Sequence, residues 1–211
     1  MEVLLIEDES LFGQVKAFLY KCYIQEFGWQ VPSDNPSRIV FKESTEGLSL
    51  LTDDYDKHAL WFAAVQANCI VACARLCTVD SNNLLELERY PEAREKLHLL
   101  LKEKEQLNII ELNREAISLK ESKYEKPCLF LLEKIFTYCL QKGFSILTTT
   151  NMVNWLNIYD KISFPKLEGF SFKYHVEDKD EVVVYFAQKE DLIKMRNRII
   201  ECLNNMENYY D

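Results

Sequence analysis

An acid and a guanidinium stand inside an apolar run. The stretch Asn108-Ile-Ile-Glu-Leu-Asn-Arg-Glu-Ala-Ile-Ser-Leu119 carries Glu111 and Arg114 where a buried strand ordinarily carries Val or Ile. Taking either charge out of water costs several kcal/mol unless it is paired, hydrogen-bonded or used in a reaction. The pattern therefore points to a site, with a structural ion pair at a strand end as the competing explanation. Arg75, near the end of the apolar run Cys69-Ile-Val-Ala-Cys-Ala-Arg-Leu76, is a further charge of the same kind.

These residues need a sheet to hold them. Residues 2–6 form a short apolar first strand. From Ser10 to about Phe27, apolar residues recur at helical spacing (Phe12, Val15, Phe18, Leu19, Cys22, Tyr23), with Ser10 as N-cap and Gly28 as stop. Val31 to Leu51 reads as a long irregular connection with room for one short helix. Two strands, His58–Val65 and Cys69–Leu76, turn at Ala67-Asn68 and make a hairpin. An acidic loop and a helix over about Pro91–Lys104 precede the strand with Glu111 and Arg114. A strongly apolar helix over 127–142 starts at Pro127 and ends at Gly143. A β-branched strand follows at Ser145–Thr150, then a helix at Met152–Asp160 and an antiparallel pair, 170–176 with 181–187. This order predicts an α/β fold with a mixed sheet and helices on both faces. Strand, helix and strand from 108 to 150 would make a parallel crossover. The chain reads as one domain over 1–211, its core at about 1–188 and an appended amphipathic helix at 189–207.

Composition narrows the function classes. The 211 residues are 48% hydrophobic and 12% aromatic, which excludes disorder. No apolar run reaches the roughly 18 residues of a membrane span. The first ten residues lack the basic start and long apolar core of a secretory signal, so the expected compartment is the cytoplasm. A net charge of −9 argues against nucleic acid as partner. Lys120, Lys123 and Lys126 cluster ahead of one helix, and Lys194, Arg196 and Arg198 lie on the last; as both have acids nearby, an ordinary solvated face accounts for them. Seven cysteines include an even spacing at Cys69, Cys73 and Cys77, which on a strand places all three on one face as small hydrophobes; no zinc-ligand spacing occurs. His58, His98 and His175 are scattered and assemble no nucleophile–His–acid order.

Four pieces in order carry a family resemblance. Tyr23-Ile-Gln-Glu-Phe-Gly-Trp29 resembles an aromatic-then-Gly-Trp segment, with Tyr23 where Phe is usual. Asp53-Asp-Tyr-Asp56 resembles a D-x-x-D segment. Cys73-Ala-Arg-Leu76 is similar to G-x-R-L, Arg75 matching and Cys73 replacing Gly. Glu111-Leu-Asn-Arg114 resembles E-x-x-R. Over about residues 8–190 the chain thus resembles the acyl-homoserine-lactone synthases and long-chain N-acyl amino acid synthases of the GNAT acyltransferase superfamily. The resemblance implies a single-domain GNAT-like fold with a mostly antiparallel central sheet. The family's Arg ten residues before the motif Trp is Leu19 here, with Lys21 the nearest cation in sequence.

The resemblance also implies a function: transfer of a fatty acyl group to the amine of an amino acid or amino-acid-derived acceptor. Glu111 would serve as general base, through a water, beside Arg114. Arg75, Asp53 and Asp56 would complete the orienting network, and Tyr23 and Trp29 would wall the substrate pocket. Leu129–Leu132, Ile135, Phe136, Ile146, Leu147 and Met152 would line an acyl tunnel. The segment Lys120-Glu-Ser-Lys-Tyr-Glu-Lys-Pro127 has no glycine to cradle a pyrophosphate. The implied donor is therefore an acyl-carrier-protein thioester docked by Lys120, Lys123 and Lys126, with acyl-CoA as the alternative. S-adenosylmethionine is a possible co-substrate, and no permanently bound cofactor or metal is implied. A CoA-dependent N-acetyltransferase and a non-catalytic GNAT-fold binding module remain open as alternatives.

Overall fold

A computed structural model describes residues 1–31, 35–79, 84–101, 108–119, 125–174 and 178–207. Nine strands and five α-helices follow one another through them: β1 (Glu2–Ile6), α1 (Glu9–Tyr20), β2 (Val40–Glu43), β3 (Ser49–Thr52), β4 (Ala59–Gln66), β5 (Cys69–Cys77), α2 (Pro91–Leu101), β6 (Ile109–Ile117), α3 (Lys126–Lys142), β7 (Ser145–Thr150), α4 (Val153–Ile162), β8 (Lys166–Phe172), β9 (Val182–Ala187) and α5 (Lys189–Glu207). Seven strands form one sheet in the order β1-β4-β5-β6-β7-β9-β8. Only β6 and β7 run parallel, joined by the crossover helix α3; the other neighbours are antiparallel.

Three apolar clusters hold the layers. On one face α3, α4 and α5 pack against Leu76, Leu112, Ile146 and Tyr185. On the other face α1 covers Trp61, Ala63 and Cys73, while α2 covers Leu147, Val184 and Phe186. The C-terminal helix is tied to α3 by Arg196, whose Nε donates to Glu133 Oε1 at 2.8 Å and Thr137 Oγ1 at 2.7 Å. The expected mixed, mostly antiparallel sheet with helices on both faces is the observed one.

Local chemistry explains the boundaries. The β4–β5 turn has Ala67 at φ 49° and Asn68 at φ 60°, the left-handed pair that a two-residue hairpin needs. Pro127 sits in the first turn of α3, where its missing N–H costs nothing, and Gly143 ends it at φ 73°. Expectation and structure part at the start of α1: the cap is Asp8, whose Oδ1 accepts the N–H groups of Ser10 and Leu11, so Ser10 already lies inside the helix. A π-helical turn, Lys21–Glu26, then extends α1 toward Gly28. The connection expected to be irregular contains the β2–β3 hairpin, turned at Ser44, whose Oγ accepts the N–H groups of Glu46 and Leu48. Cys73 and Cys77 are buried, but a register shift in the β4–β5 pair leaves Cys69 exposed at the turn, off their face. The last residues of the expected 91–104 helix and 170–176 strand lie outside the described residues.

Candidate active site

The site begins with an irregularity in β6. Cys73 pairs with Ala116 and Arg75 with Asn113, so Arg114 and Glu115 together oppose Ala74. This is a β-bulge, and Arg114 takes the left-handed conformation at φ 52°, which a non-glycine residue adopts only at a cost of about 1–3 kcal/mol. The bulge inverts the alternation of the strand. Ile110 and Leu112 before it pack in the α3 cluster, whereas after it Ile117 does so and Ala116 joins the α1 cluster. Asn113 and Arg114, though adjacent, both reach Glu86. The hydroxyl of Tyr23 donates to the carbonyl of Glu115 at 2.9 Å and pins the bulge to the turn after α1.

A buried charge network lies beside the bulge. Arg75 is wholly buried and donates four bonds: Nε to Asn113 Oδ1 at 2.8 Å, Nη1 to Asp53 Oδ1 at 2.6 Å and Asp56 Oδ1 at 3.0 Å, and Nη2 to Glu86 Oε2 at 2.9 Å. Arg114 grips Asp53 Oδ2 through Nε at 3.1 Å and Nη2 at 2.7 Å, and Glu86 Oε1 through Nη2 at 2.5 Å. Asp53 and Asp56 also cap the 3₁₀ turn Asp54–His58 reciprocally, which fixes both carboxylates before they meet a cation. Lys16 Nζ lies 2.8 Å from Asp56 Oδ2. Three cations thus meet three acids, the pairing that makes such burial tolerable. Burial alone would raise the Asp53 carboxyl, but Arg75 and Arg114 outweigh it and hold the group well below the usual carboxylate range.

Glu111 stands behind this cluster. Its Oε2 accepts the N–H of Leu87 at 3.2 Å. Burial, reinforced by the charge of Glu86, pushes its carboxyl up to about 8.

A cavity of about 330 Å³ opens in front of the network. Its floor is Glu86, Asn113, Arg114 and Glu115; Tyr23, Trp29, Tyr90 and Tyr174 form an aromatic wall; Thr149 to Met152 close the far side. The opening follows from the sheet. β6 and β7 pair only from Ile109–Ser145 to Leu112–Thr148, after which both strands continue without pairing to each other. The cavity lies where they part.

Among the residues singled out from sequence, Tyr23, Trp29 and Arg114 line the cavity, while Glu111, Arg75, Asp53 and Asp56 lie behind its wall. Tyr23 and Trp29 meet edge to face with ring centroids 5.9 Å apart. Lys126 opens α3; Lys120 and Lys123 lie outside the described residues. Of the residues expected to form an acyl tunnel, only Met152 lines the cavity; Leu129, Leu131, Leu132, Ile135, Phe136 and Ile146 are packed into the core beneath α3. Leu19 is buried in the α1 cluster, and Lys21 pairs with Glu26 at 3.3 Å. The cation that joins the network from α1 is instead Lys16, one helical turn before Leu19. Glu86, Asn113, Tyr90, Tyr174 and Glu115 were not legible as site residues. Asn113 lay inside the Glu111–Arg114 motif, and Glu86 was one acid among several in a loop. Among the described residues no group of three His, Cys, Asp or Glu side chains is placed to hold a metal, and no helix is long and apolar enough to cross a membrane.

A scan against protein-family models and a search of curated proteins return no match. Solved structures do match. The N-acyl amino acid synthase FeeM from uncultured soil microbes aligns with a TM-score of 0.61 and 10% identity, over 90% of this chain and 92% of its own. BjaI, a CoA-dependent acyl-homoserine lactone synthase solved with SAM and isopentyl-CoA, aligns with a TM-score of 0.56 and 14% identity, over 90% and 82%. A GNAT-family acetyltransferase from Staphylococcus aureus Mu50 aligns with a TM-score of 0.53 and 14% identity, over 89% and 99%. The chain therefore has the GNAT fold.

Proposed function

We propose that this protein is an N-acyltransferase that moves a fatty acyl group from a thioester to the amine of an amino acid or amino-acid-derived acceptor. The observation that carries the reading is the cavity between the parting strands, apolar on its walls and floored by Arg114 and Glu86. Arg114 uses Nε and Nη2 on Asp53 and Glu86, and Nη1 bonds no described residue. That nitrogen is free to anchor the carboxylate of an acceptor. The aromatic wall would then confine the acceptor, while the acyl thioester enters along the gap where β7 offers Thr149 and Thr150 without a β6 partner.

Acyl transfer forms one C–N bond and breaks one C–S bond. The acceptor nitrogen attacks the thioester carbonyl carbon, the thiol departs, and the amine proton must leave. Glu86 on the cavity floor is gripped by two guanidinium groups, Arg75 and Arg114. Glu111 behind it has its carboxyl pushed up to about 8, so in our reading its ionised form, which grows as pH approaches 8, is the base that takes the amine proton, relayed through water.

For the donor we favour an acyl-carrier-protein thioester over acyl-CoA, because the segment Lys120–Pro127 has no glycine with which to wrap a pyrophosphate. Lys126, with Lys120 and Lys123 nearby in sequence, would meet the acidic carrier. BjaI, solved with SAM and isopentyl-CoA, supports SAM as an acceptor and keeps CoA as the competing donor. The test is mass spectrometry of lipid extracts from cells overproducing the protein, compared with Glu111→Ala, followed by assays with acyl-carrier-protein and acyl-CoA donors. New acylated amines that depend on Glu111 support the reading. Their absence from both cultures, with neither donor consumed in vitro, overturns it.

A further inference from the structure

The loop before α2 delivers to the cavity an acid that no motif announced. Glu86 is 5% exposed and stands on the cavity floor. Its backbone is clasped on both sides: the hydroxyl of Tyr55 donates to the carbonyl of Leu84 at 3.2 Å, the N–H of Leu85 to Glu88 Oε2 at 2.8 Å, and the N–H of Leu87 to Glu111 Oε2 at 3.2 Å. The side chain is held as closely. Oε2 accepts Nη2 of Arg75 at 2.9 Å and Nδ2 of Asn113 at 2.7 Å, and Oε1 accepts Nη2 of Arg114 at 2.5 Å. Asn113 is itself fixed, because its amide oxygen accepts Nε of Arg75 at 2.8 Å and the thiol of Cys77 at 3.7 Å, which leaves only the amide nitrogen for Glu86.

A carboxylate has about four lone-pair sites. The described donors occupy both on Oε2 and one on Oε1, so the site left over is on Oε1, the oxygen in contact with Arg114. In an α-amino acid a single carbon separates the amine from the carboxylate, so neighbouring groups must receive the two. With the carboxylate on Nη1 of Arg114, that neighbour is Glu86. Of the acids on the cavity wall, only Glu86 is bonded to Arg114 among the described residues. Burial alone pushes the Glu115 carboxyl well above the usual range, so it keeps its proton and offers an ammonium no counter-charge. The charges agree as well. Lys16, Arg75 and Arg114 already match Asp53, Asp56 and Glu86, so a zwitterion enters without adding net charge, whereas a bare carboxylate would leave an excess in a buried site.

We propose that Glu86 is the residue that binds the acceptor's amine, its Oε1 accepting one N–H of the ammonium while Nη1 of Arg114 holds the carboxylate. This inference deepens the acyl-transfer reading above and rests on it for the class of acceptor. Glu86 holds the nitrogen in place and exchanges no proton. A second N–H is left for the water that leads to Glu111, whose Oε2 is bonded to the peptide N–H of Leu87, the residue next to Glu86. Binding and deprotonation of the amine thus fall to adjacent groups.

Titration calorimetry without any donor tests it. The probes are the standard free amino acids and S-adenosylmethionine, each paired with the same acid carrying hydrogen in place of the amine. At least one amine should bind wild type about tenfold to a hundredfold more tightly than its amine-free partner, the difference made by one hydrogen bond to a charged group. Glu86→Gln should bind the two nearly alike, and should bind the amine-free partner no less tightly than wild type does, whereas a merely structural loss would weaken both. Should that variant not fold, as judged by its urea unfolding curve, Glu86→Asp serves in its place: it keeps a charge for both guanidinium groups but draws it back by one methylene, and should lose most of the discrimination. Amines that bind wild type no better than their amine-free partners, discrimination undiminished in the substituted protein, or binding by no probe at all overturns the proposal. Because no thioester is present, the result is read apart from acyl transfer. Discrimination through Glu86 in a protein that consumes no donor would overturn the acyl-transfer reading alone, and acylated amines made with the discrimination intact in the variant would overturn the Glu86 assignment alone.

Discussion

Nη1 of Arg75 lies 2.6 Å from Oδ1 of Asp53, and the two side chains are 0% and 2% exposed. The same guanidinium also satisfies Asp56, Glu86 and Asn113, so one side chain closes four contacts between β5, β6, the 3₁₀ turn and the loop before α2. Arg75→Ala would leave carboxylates in the interior without their main counter-charge. We expect it to lower the unfolding free energy by about 3–5 kcal/mol, read from urea denaturation. Arg75→Lys should recover only part of this, because a single ammonium cannot reproduce the planar fork.

The two displaced carboxyls act on stability in opposite pH ranges. Asp53 is held below its unfolded value, so its contribution is complete above about pH 4 and is lost as pH falls through the folded pKa. Asp53→Asn should therefore be much less stable than wild type at neutral pH, with the gap narrowing in acid. Glu111 is displaced upward, so between its unfolded value of about 4.3 and its folded value of about 8 the folded state holds the extra proton. Its effect is a loss of stability as pH rises through that window, levelling off above pH 8. Glu111→Gln keeps an oxygen to accept the Leu87 N–H and removes the titration. Its stability relative to wild type should grow from pH 5 to pH 8 and then stay constant in unfolding curves measured across that range.

Tyr23 joins the aromatic wall to the bulge through its hydroxyl on the Glu115 carbonyl. Tyr23→Phe removes only this bond and leaves the ring against Trp29. The expected cost is about 1 kcal/mol of unfolding free energy. Urea denaturation of the variant beside wild type checks this.

Much of this arrangement was legible from residue types, and the exceptions have identifiable physical causes. Glu111, Arg114 and Arg75 announced themselves because a charge in an apolar run conflicts with burial, and α3 because Pro127 and Gly143 mark its ends. Pattern reading assumes unbroken alternation along a strand. In β6 that assumption fails at Arg114, so the facing of Glu115 was invisible, and in β5 a register shift turned Cys69 outward. Glu86 was hidden for another reason: it reaches the site from an irregular loop, where no periodicity indicates direction. Lys16, which joins the network one helical turn before Leu19, was passed over in favour of Lys21 because its facing depends on where the helix begins.

Arg114 is where fold and proposed chemistry meet most directly. It is the one guanidinium on the cavity wall among the described residues, and two of its nitrogens are fixed by Asp53 and Glu86. Arg114→Lys would keep a positive charge but lose both the fork onto Asp53 and the nitrogen left over for an acceptor carboxylate. If that nitrogen anchors the acceptor before reaction and through it alike, the variant should raise the acceptor KM by about tenfold to a hundredfold with a smaller change in kcat. Arg114→Met should show the same direction with a larger effect, and an acceptor amine lacking its carboxylate should be used equally poorly by both variants and wild type. Steady-state kinetics with the acceptor and its decarboxylated analogue check this. A drop confined to kcat, with the acceptor KM unchanged, would move Arg114 from anchoring the acceptor to stabilising the transition state.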